Sequence, residues 1–70
     1  MLKKRSVMLS GHATSVALEP EFWDVLDRIA GERGLSHAAL LAWVDATRGR
    51  RPLASACRLL ALEHAARPAD

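Results

Sequence analysis

The sequence predicts a mainly helical fold in which one short β-strand precedes three helices. Apolar and polar residues alternate over residues 13–18, as they do along a half-buried strand. Pro20 follows directly, and the apolar spacing beyond it is helical. No second strand is evident in the rest of the chain, so the strand at 13–18 lacks an obvious partner. Because an unpaired strand edge exposes backbone donors and acceptors, we expect a second copy of the chain to supply the partner.

The segment in front of this strand leaves several structures open. Residues 1–5, three of which are basic, are predicted to form a flexible arm. Residues 6–9 alternate weakly, and the tripeptide Ser10-Gly11-His12 breaks the pattern. This piece could be a separate strand, a continuation of the main strand across a bulge, or coil.

Three helices are predicted after the strand, over residues 20–33, 36–48 and 53–66. Pro20 suits the first turn of a helix, and Gly34 supplies a left-handed stop. Ser36 is expected to cap the second helix through its hydroxyl group. Pro52 opens the third helix and Pro68 is expected to end it. The third helix is apolar on nearly all sides, which predicts burial, in part against a partner subunit.

Length and composition limit the function classes. Seventy residues make one domain, and a chain this short is marginally stable unless it is cross-linked or paired with another chain. The single cysteine, Cys57, excludes an internal disulfide, and the three histidines lack metal-ligand spacing. We expect no metal site and no cofactor. The sequence has no apolar run long enough to span a membrane, and its start makes a poor signal peptide, so a cytoplasmic protein is expected.

The charge is distributed unevenly along the chain. Residues 1–18 contain three basic and no acidic side chains. Residues 19–47 contain six acidic and two basic side chains, and residues 48–70 contain five basic and two acidic ones. This layout suits a protein that lays one face on a polyanion, although solvated termini and loops give the same pattern. Catalysis is not expected, because no nucleophile–base set, phosphate loop or buried carboxylate pair is evident.

The run from Thr14 to Val44 carries a resemblance to a known family. It contains a Thr-Ser-x-x-Leu-Glu strand end, then Pro20, then Phe22-Trp23, and a Gly-Leu-Ser corner that begins at Gly34. In this it resembles the ribbon-helix-helix (Arc/MetJ-like) family of DNA-binding proteins. The resemblance covers about residues 6–66.

The resemblance implies an intertwined homodimer whose protomers share a two-stranded antiparallel β-ribbon through the strand at 13–18. It further implies that the ribbon enters the major groove of double-stranded DNA and that the start of the second helix holds a phosphate. Carried over to this sequence, the expected DNA-binding residues are Lys3, Lys4, Arg5, His12, Ala13, Ser15, Ala17, Ser36 and His37. The function implied is that of a dimeric transcriptional regulator, of bacterial type and bound to the nucleoid.

The predicted outward face of the ribbon departs from a strong base-reading surface. Sequence readout usually depends on Arg, Lys, Asn or Gln, whereas Ala13 and Ala17 can contact only a thymine methyl group. Specificity would then come from His12, the basic arm and DNA shape. The alternative is a protein-interaction or antitoxin-like dimerisation module, in which the ribbon or the third helix binds a protein partner.

Overall fold

The computed structural model describes residues 1–67. The elements in chain order are β1 (Lys3–Leu9), β2 (His12–Leu18), α1 (Pro20–Arg33), α2 (His37–Thr47) and α3 (Leu53–Ala66). The mainly helical fold with a third, C-terminal helix is therefore confirmed. Helix α2 is one residue shorter at each end than expected, because Ser36 and Arg48 are its caps. Pro68, which was expected to end α3, lies outside the described residues.

Strands β1 and β2 form an antiparallel hairpin within one chain, with Lys3 paired to Leu18 and Leu9 to His12. Two expectations are therefore wrong: that residues 1–5 form a flexible arm, and that the strand at 13–18 lacks a partner in its own chain. The cause is the two-residue loop Ser10-Gly11, where both residues have a positive φ (51° and 81°). Type I′ turns require this backbone, and they match the twist of a hairpin.

The hairpin is buried on one face and exposed on the other. Its inner face carries Val7, Leu9, Val16 and Leu18, all at most 7% exposed. Helices α2 and α3 cover this face: α2 lies beside β1, and α3 lies beside β2. The largest fully buried side chains of the core are Trp23, Leu18, Leu26, Ile29, Leu40, Leu41 and Cys57. Because strand side chains alternate, the opposite face of the hairpin is left to solvent.

The helix ends follow the local sequence. Gly34 has φ 67°, and its N–H donates to the carbonyl groups of Ala30 and Gly31 at the end of α1. The Ser36 Oγ accepts a hydrogen bond from the Ala39 N–H at 3.0 Å, which confirms the predicted cap of α2. Glu19 precedes α1 without a side-chain cap, and Pro20 occupies the first turn. The sharp Gly34-Leu35-Ser36 corner brings the start of α2 back towards β1.

Two side chains of the helical layer differ in burial. Cys57 is fully buried, and burial raises the pKa of its thiol to about 11, so the thiol is unreactive at neutral pH. Trp43 lies on α2, and 44% of it is exposed. Its ring lies under the guanidinium group of Arg33, whose carbon is 4.8 Å from the ring centre. Part of the apolar surface of α2 is therefore left exposed to solvent.

Candidate nucleic-acid interface

The solvent face of the hairpin is the first part of the candidate site. It consists of three cross-strand pairs, which we call the outer face: Lys4–Ala17, Ser6–Ser15 and Met8–Ala13. Five of the six residues are exposed, and Ala17 is half-buried. The three β2 residues expected to face outward do so. Ser6 and Met8 were missed, because the sequence left residues 6–9 open; the Ser10-Gly11 dipeptide between two runs of equal length was the available signal.

The outer face contains three polar and three apolar side chains and is free of acidic groups. Lys4 is its basic residue, and Ser6 and Ser15 place two hydroxyl groups side by side on neighbouring strands. Met8 is 61% exposed, which is unusual for a large apolar side chain in a small domain. Lys3 and His12, at the two ends of the hairpin, are also exposed. This surface can donate and accept hydrogen bonds and offers methyl groups to apolar contacts.

Arg5 lies on the inner face of β1 and is engaged there. Its guanidinium group binds the Asp27 carboxylate with both terminal nitrogens, at 2.8 and 3.1 Å, and lies 4.5 Å from the centre of the Trp23 ring. The hydrogen bond to Asp27 raises the pKa of Arg5, and the same bond lowers the pKa of Asp27. Since both side chains are part-exposed, the pair is a hydrogen-bonded surface ion pair. Arg5 therefore does not extend from the hairpin as an arm.

The start of α2 is the second part of the candidate site. The Ser36 hydroxyl satisfies the N–H of Ala39, while the N–H groups of His37 and Ala38 have no hydrogen-bond partner within residues 1–67. Free N–H groups at a helix start, together with the helix dipole, favour an anion. The site lies beside the inner face of β1, since His37 contacts Arg5 there. The outer face and the helix start are thus separated by the thickness of the strand.

The His37 side chain points into the protein rather than towards solvent. Its Nδ1 lies 3.3 Å from a terminal nitrogen of Arg5, and its ring centre lies 5.4 Å from that of Trp23. When Nδ1 accepts a hydrogen bond from Arg5, Nε2 carries the proton, and this buried nitrogen has no hydrogen-bond partner within the described chain. Burial and then the charge of Arg5 lower the pKa of His37. An anion at this helix start would therefore meet the backbone rather than an imidazolium group.

A third feature is an open cleft of about 380 Å³ between α2 and α3. Trp43 and Leu59 contribute apolar surface to it, and Arg48 and Arg51 lie at its edge. The Arg48 guanidinium group donates a hydrogen bond to the Asp45 carboxylate at 2.8 Å. Within residues 1–67 no cluster of His, Cys, Asp and Glu could hold a metal ion. No helix in that range is long and apolar enough to cross a membrane.

Comparison with known proteins decides the family. A family model described as a ribbon-helix-helix domain matches residues 2–65. The chain belongs to the ribbon-helix-helix family. No curated protein and no solved structure gives a significant match. Ribbon-helix-helix domains typically bind DNA, form dimers and act as transcription regulators or antitoxins. The match includes β1, so the first strand of the hairpin is part of the family domain in this protein.

Proposed function

We propose that this protein is a homodimeric, DNA-binding transcriptional regulator of the cytoplasm that presents the outer face of its hairpin to the major groove. The observation that carries the proposal is the combination of the family match with an acid-free hairpin. A two-stranded ribbon fits the major groove in width. The acidic side chains of the chain begin at Glu19, after the hairpin, so the hairpin is the surface with the most favourable charge for a polyanion. No catalytic role is proposed.

The outer face supports a division of roles among the DNA contacts. Ser6 and Ser15 would hydrogen-bond to base edges, and Ala13, Ala17 and the exposed Met8 would contact thymine methyl groups. Lys3 and Lys4 would bind phosphates and fix the position of the hairpin, and His12 would lie at its tip. The free N–H groups at the start of α2 would hold a further phosphate. Without a bidentate Arg or Asn contact, sequence discrimination should be weak relative to total affinity.

Fluorescence anisotropy with labelled mixed-sequence duplexes at two salt concentrations tests this proposal. We expect Lys3→Ala/Lys4→Ala to weaken binding at least tenfold on all sequences and to flatten the salt dependence, because each lost phosphate contact removes about one counterion from the slope. The matched control is Arg50→Ala/Arg51→Ala, which removes the same charge from the α2–α3 loop. An equal loss in both variants, or binding that does not respond to salt, would contradict the proposal.

A second candidate function rests on the cleft between α2 and α3. Trp43 lines this cleft and is 44% exposed, so a protein partner with an apolar side chain could fill the cleft beside it. This would make the protein antitoxin-like. Trp43→Ser should then abolish partner binding while leaving DNA affinity unchanged. If Trp43→Ser lowers DNA affinity and dimerisation together, the cleft serves the dimer instead.

A further inference from the structure

Met8 is the one large apolar side chain of the outer face, and its thioether group is accessible to small molecules. The residue is 61% exposed, and the residue opposite it on β2 is Ala13, which carries only a methyl group. The next residue of β1 on the same face is Ser6, because strand side chains alternate. Since both neighbours are small, neither shields the Met8 sulfur from a dissolved reagent.

The other sulfur atoms of the chain lie in different surroundings. The sequence contains two methionines and one cysteine, all within residues 1–67. Cys57 is fully buried, and burial raises the pKa of its thiol to about 11, so little reactive thiolate exists at neutral pH. Met1 is fully exposed but precedes β1, so it is not part of the outer face. Met8 therefore carries the sulfur that is both accessible and on the candidate DNA surface.

We infer that Met8 is a site of reversible oxidation by peroxides, and that the sulfoxide weakens the contact of the outer face with thymine methyl groups. The effect on DNA rests on the proposed function, whereas the oxidation of Met8 does not. Exposed methionine side chains are oxidised to methionine sulfoxide, and methionine sulfoxide reductases reverse the change. The DNA affinity of the protein then depends on the oxidation state of one surface side chain.

The oxidation needs a peroxide, and its reversal needs a dithiol. The sulfur lone pair of Met8 attacks one oxygen of hydrogen peroxide, so that an S–O bond forms while the O–O bond breaks. The proton on the transferred oxygen passes to the departing hydroxide, which leaves as water. The sulfur gives up an electron pair and the peroxide accepts it. In the reverse step a dithiol reductant becomes a disulfide, and the sulfoxide oxygen leaves as water.

Oxidation should change the surface of the hairpin and leave its fold intact. The core side of this part of β1 is formed by Val7 and Leu9, which are at most 7% exposed and contain no sulfur. The pairing of Met8 with Ala13 is a pairing of backbones, to which the thioether does not contribute. The added oxygen would lie in solvent, where it accepts hydrogen bonds from water at no cost to the core.

The chemical change matters at the base edges of the major groove. A thioether end is apolar and suits the thymine methyl group, whereas a sulfoxide oxygen is a hydrogen-bond acceptor. Apolar contacts carry much of the discrimination that the outer face can offer, because it has no arginine, asparagine or glutamine to read bases. We expect oxidation to weaken binding to thymine-containing duplexes about fivefold or more, in the range of one unfavourable base contact.

Peptide mass spectrometry after brief treatment with hydrogen peroxide tests the site. In the free protein, Met8 should be oxidised at a rate within about tenfold of that of the fully exposed Met1, while Cys57 stays reduced. An excess of duplex DNA should slow the oxidation of Met8 more than that of Met1. Slow oxidation of Met8 in the free protein would overturn the inference. Absence of protection in a complex confirmed by anisotropy would also overturn it and leave DNA binding standing.

Fluorescence anisotropy before and after oxidation tests the effect on DNA. One duplex contains thymine, and the other has uracil in its place and so lacks the methyl groups. The affinity loss on oxidation should be larger on the thymine duplex. Met8→Leu is the matched control, because it keeps an apolar side chain and Met1 but has no sulfur at position 8; peroxide should leave its own affinity unchanged. Equal losses on the two duplexes, or the same loss in Met8→Leu, would overturn the inference.

Two further readouts separate the ways in which the inference can fail. The urea midpoint of the oxidised protein should equal that of the reduced protein, and a lower midpoint would attribute the loss of affinity to the fold and overturn the inference. Equal DNA affinity before and after complete oxidation of Met8 would overturn the inference alone. A reduced protein that binds no duplex would overturn the proposed function, and the effect of oxidation on DNA binding with it.

Discussion

Two arginines connect α1 to neighbouring elements, and only one of the two connections extends into the buried core. The Arg5 cluster joins β1 to α1 and consists of Arg5, Asp27 and Trp23. The Arg58 cluster joins α3 to the start of α1 and consists of Arg58, Glu19 and Phe22, with the Arg58 guanidinium carbon 5.8 Å from the Phe22 ring centre. In each cluster an arginine from another element meets a carboxylate and an aromatic ring of α1 or its N-cap.

The clusters differ in hydrogen-bond geometry and in the ring beneath the arginine. Arg5 binds both oxygens of Asp27, whereas Arg58 directs two nitrogens at one oxygen of Glu19, both at 3.0 Å. Trp23 is 2% exposed, and its indole N–H donates to the Lys3 carbonyl at 2.8 Å. The Arg5 cluster is therefore continuous with the core and with the backbone of β1. The Arg58 cluster lies on the surface and should mainly orient α3.

The largest expected effect comes from removing the two rings. Trp23→Ala should lower the free energy of unfolding by about 3–5 kcal/mol, because it leaves a core cavity and an unpaired Lys3 carbonyl. Small domains have little stability to lose, so this variant should be largely unfolded. Phe22→Ala should cost clearly less, since Phe22 is half-buried. Urea unfolding at one fixed protein concentration measures both, because the stability of the proposed homodimer would depend on protein concentration.

Trp23→Phe separates the ring from its hydrogen bond. It keeps most of the apolar contact and the surface under Arg5 but loses the N–H donor to Lys3. We expect a loss of about 1–2 kcal/mol, in the range of a buried hydrogen bond. If Trp23→Phe were as stable as the unmodified protein, the indole N–H would not anchor β1. The two clusters would then differ in stability only because Trp23 is a larger and more buried ring than Phe22.

A smaller effect is expected from the ion pairs themselves. A double-mutant cycle with Arg5→Ala and Asp27→Ala should give a coupling free energy of about 0.5–1 kcal/mol, because the bidentate pair is part-exposed and screened by solvent. The same cycle with Arg58→Ala and Glu19→Ala should give a smaller coupling. Raising the salt concentration should reduce both. A larger coupling at Arg58 would reverse the assigned order of the clusters.

The fold could be predicted from local signals, and the ribbon partner could not. Pro20, Gly34 and Ser36 act through their own backbone conformation or hydroxyl group, so the helix boundaries followed from residue type. The pairing of β1 with β2 depends on a turn in which Ser10, a residue that is not glycine, adopts a positive φ. Residue type at that position does not dictate this conformation, and the weak alternation of residues 6–9 left the strand undecided.

The candidate site was predictable in part for a similar reason. Alternation alone placed Ala13, Ser15 and Ala17 on the solvent face, because a strand has two faces. The same rule could not be applied to Lys4 and Arg5 without knowing that they lie in a strand. Once they do, one faces solvent and the other faces Asp27. Whether Lys4 or Arg5 is available to contact DNA therefore depends on how β1 pairs with β2.

The smallest expected effect distinguishes the clusters by pH, since a histidine, His37, contacts the Arg5 cluster. His37 contacts Arg5 from α2, faces Asp27 on α1 at 3.7 Å, and has a pKa lowered first by burial and then by the charge of Arg5. Its folded pKa therefore lies below the ordinary value of 6.5, and the unfolded chain binds more protons just below that pH. The contribution of His37 to the free energy of unfolding is fully present above pH 6.5 and is lost as the pH falls through its folded pKa.

Urea unfolding between pH 7.5 and 5 should therefore show a small loss of stability on acidification that His37→Gln removes. Asp27, whose pKa is lowered from 3.8, contributes its own loss only at more acidic pH and does not interfere in this window. His12→Gln is the matched control, because His12 is exposed in the hairpin and outside the Arg5 cluster. A pH slope that survives in His37→Gln but disappears in His12→Gln would show that the Arg5 cluster does not respond to acid. The distinction from the Arg58 cluster would then rest on Trp23.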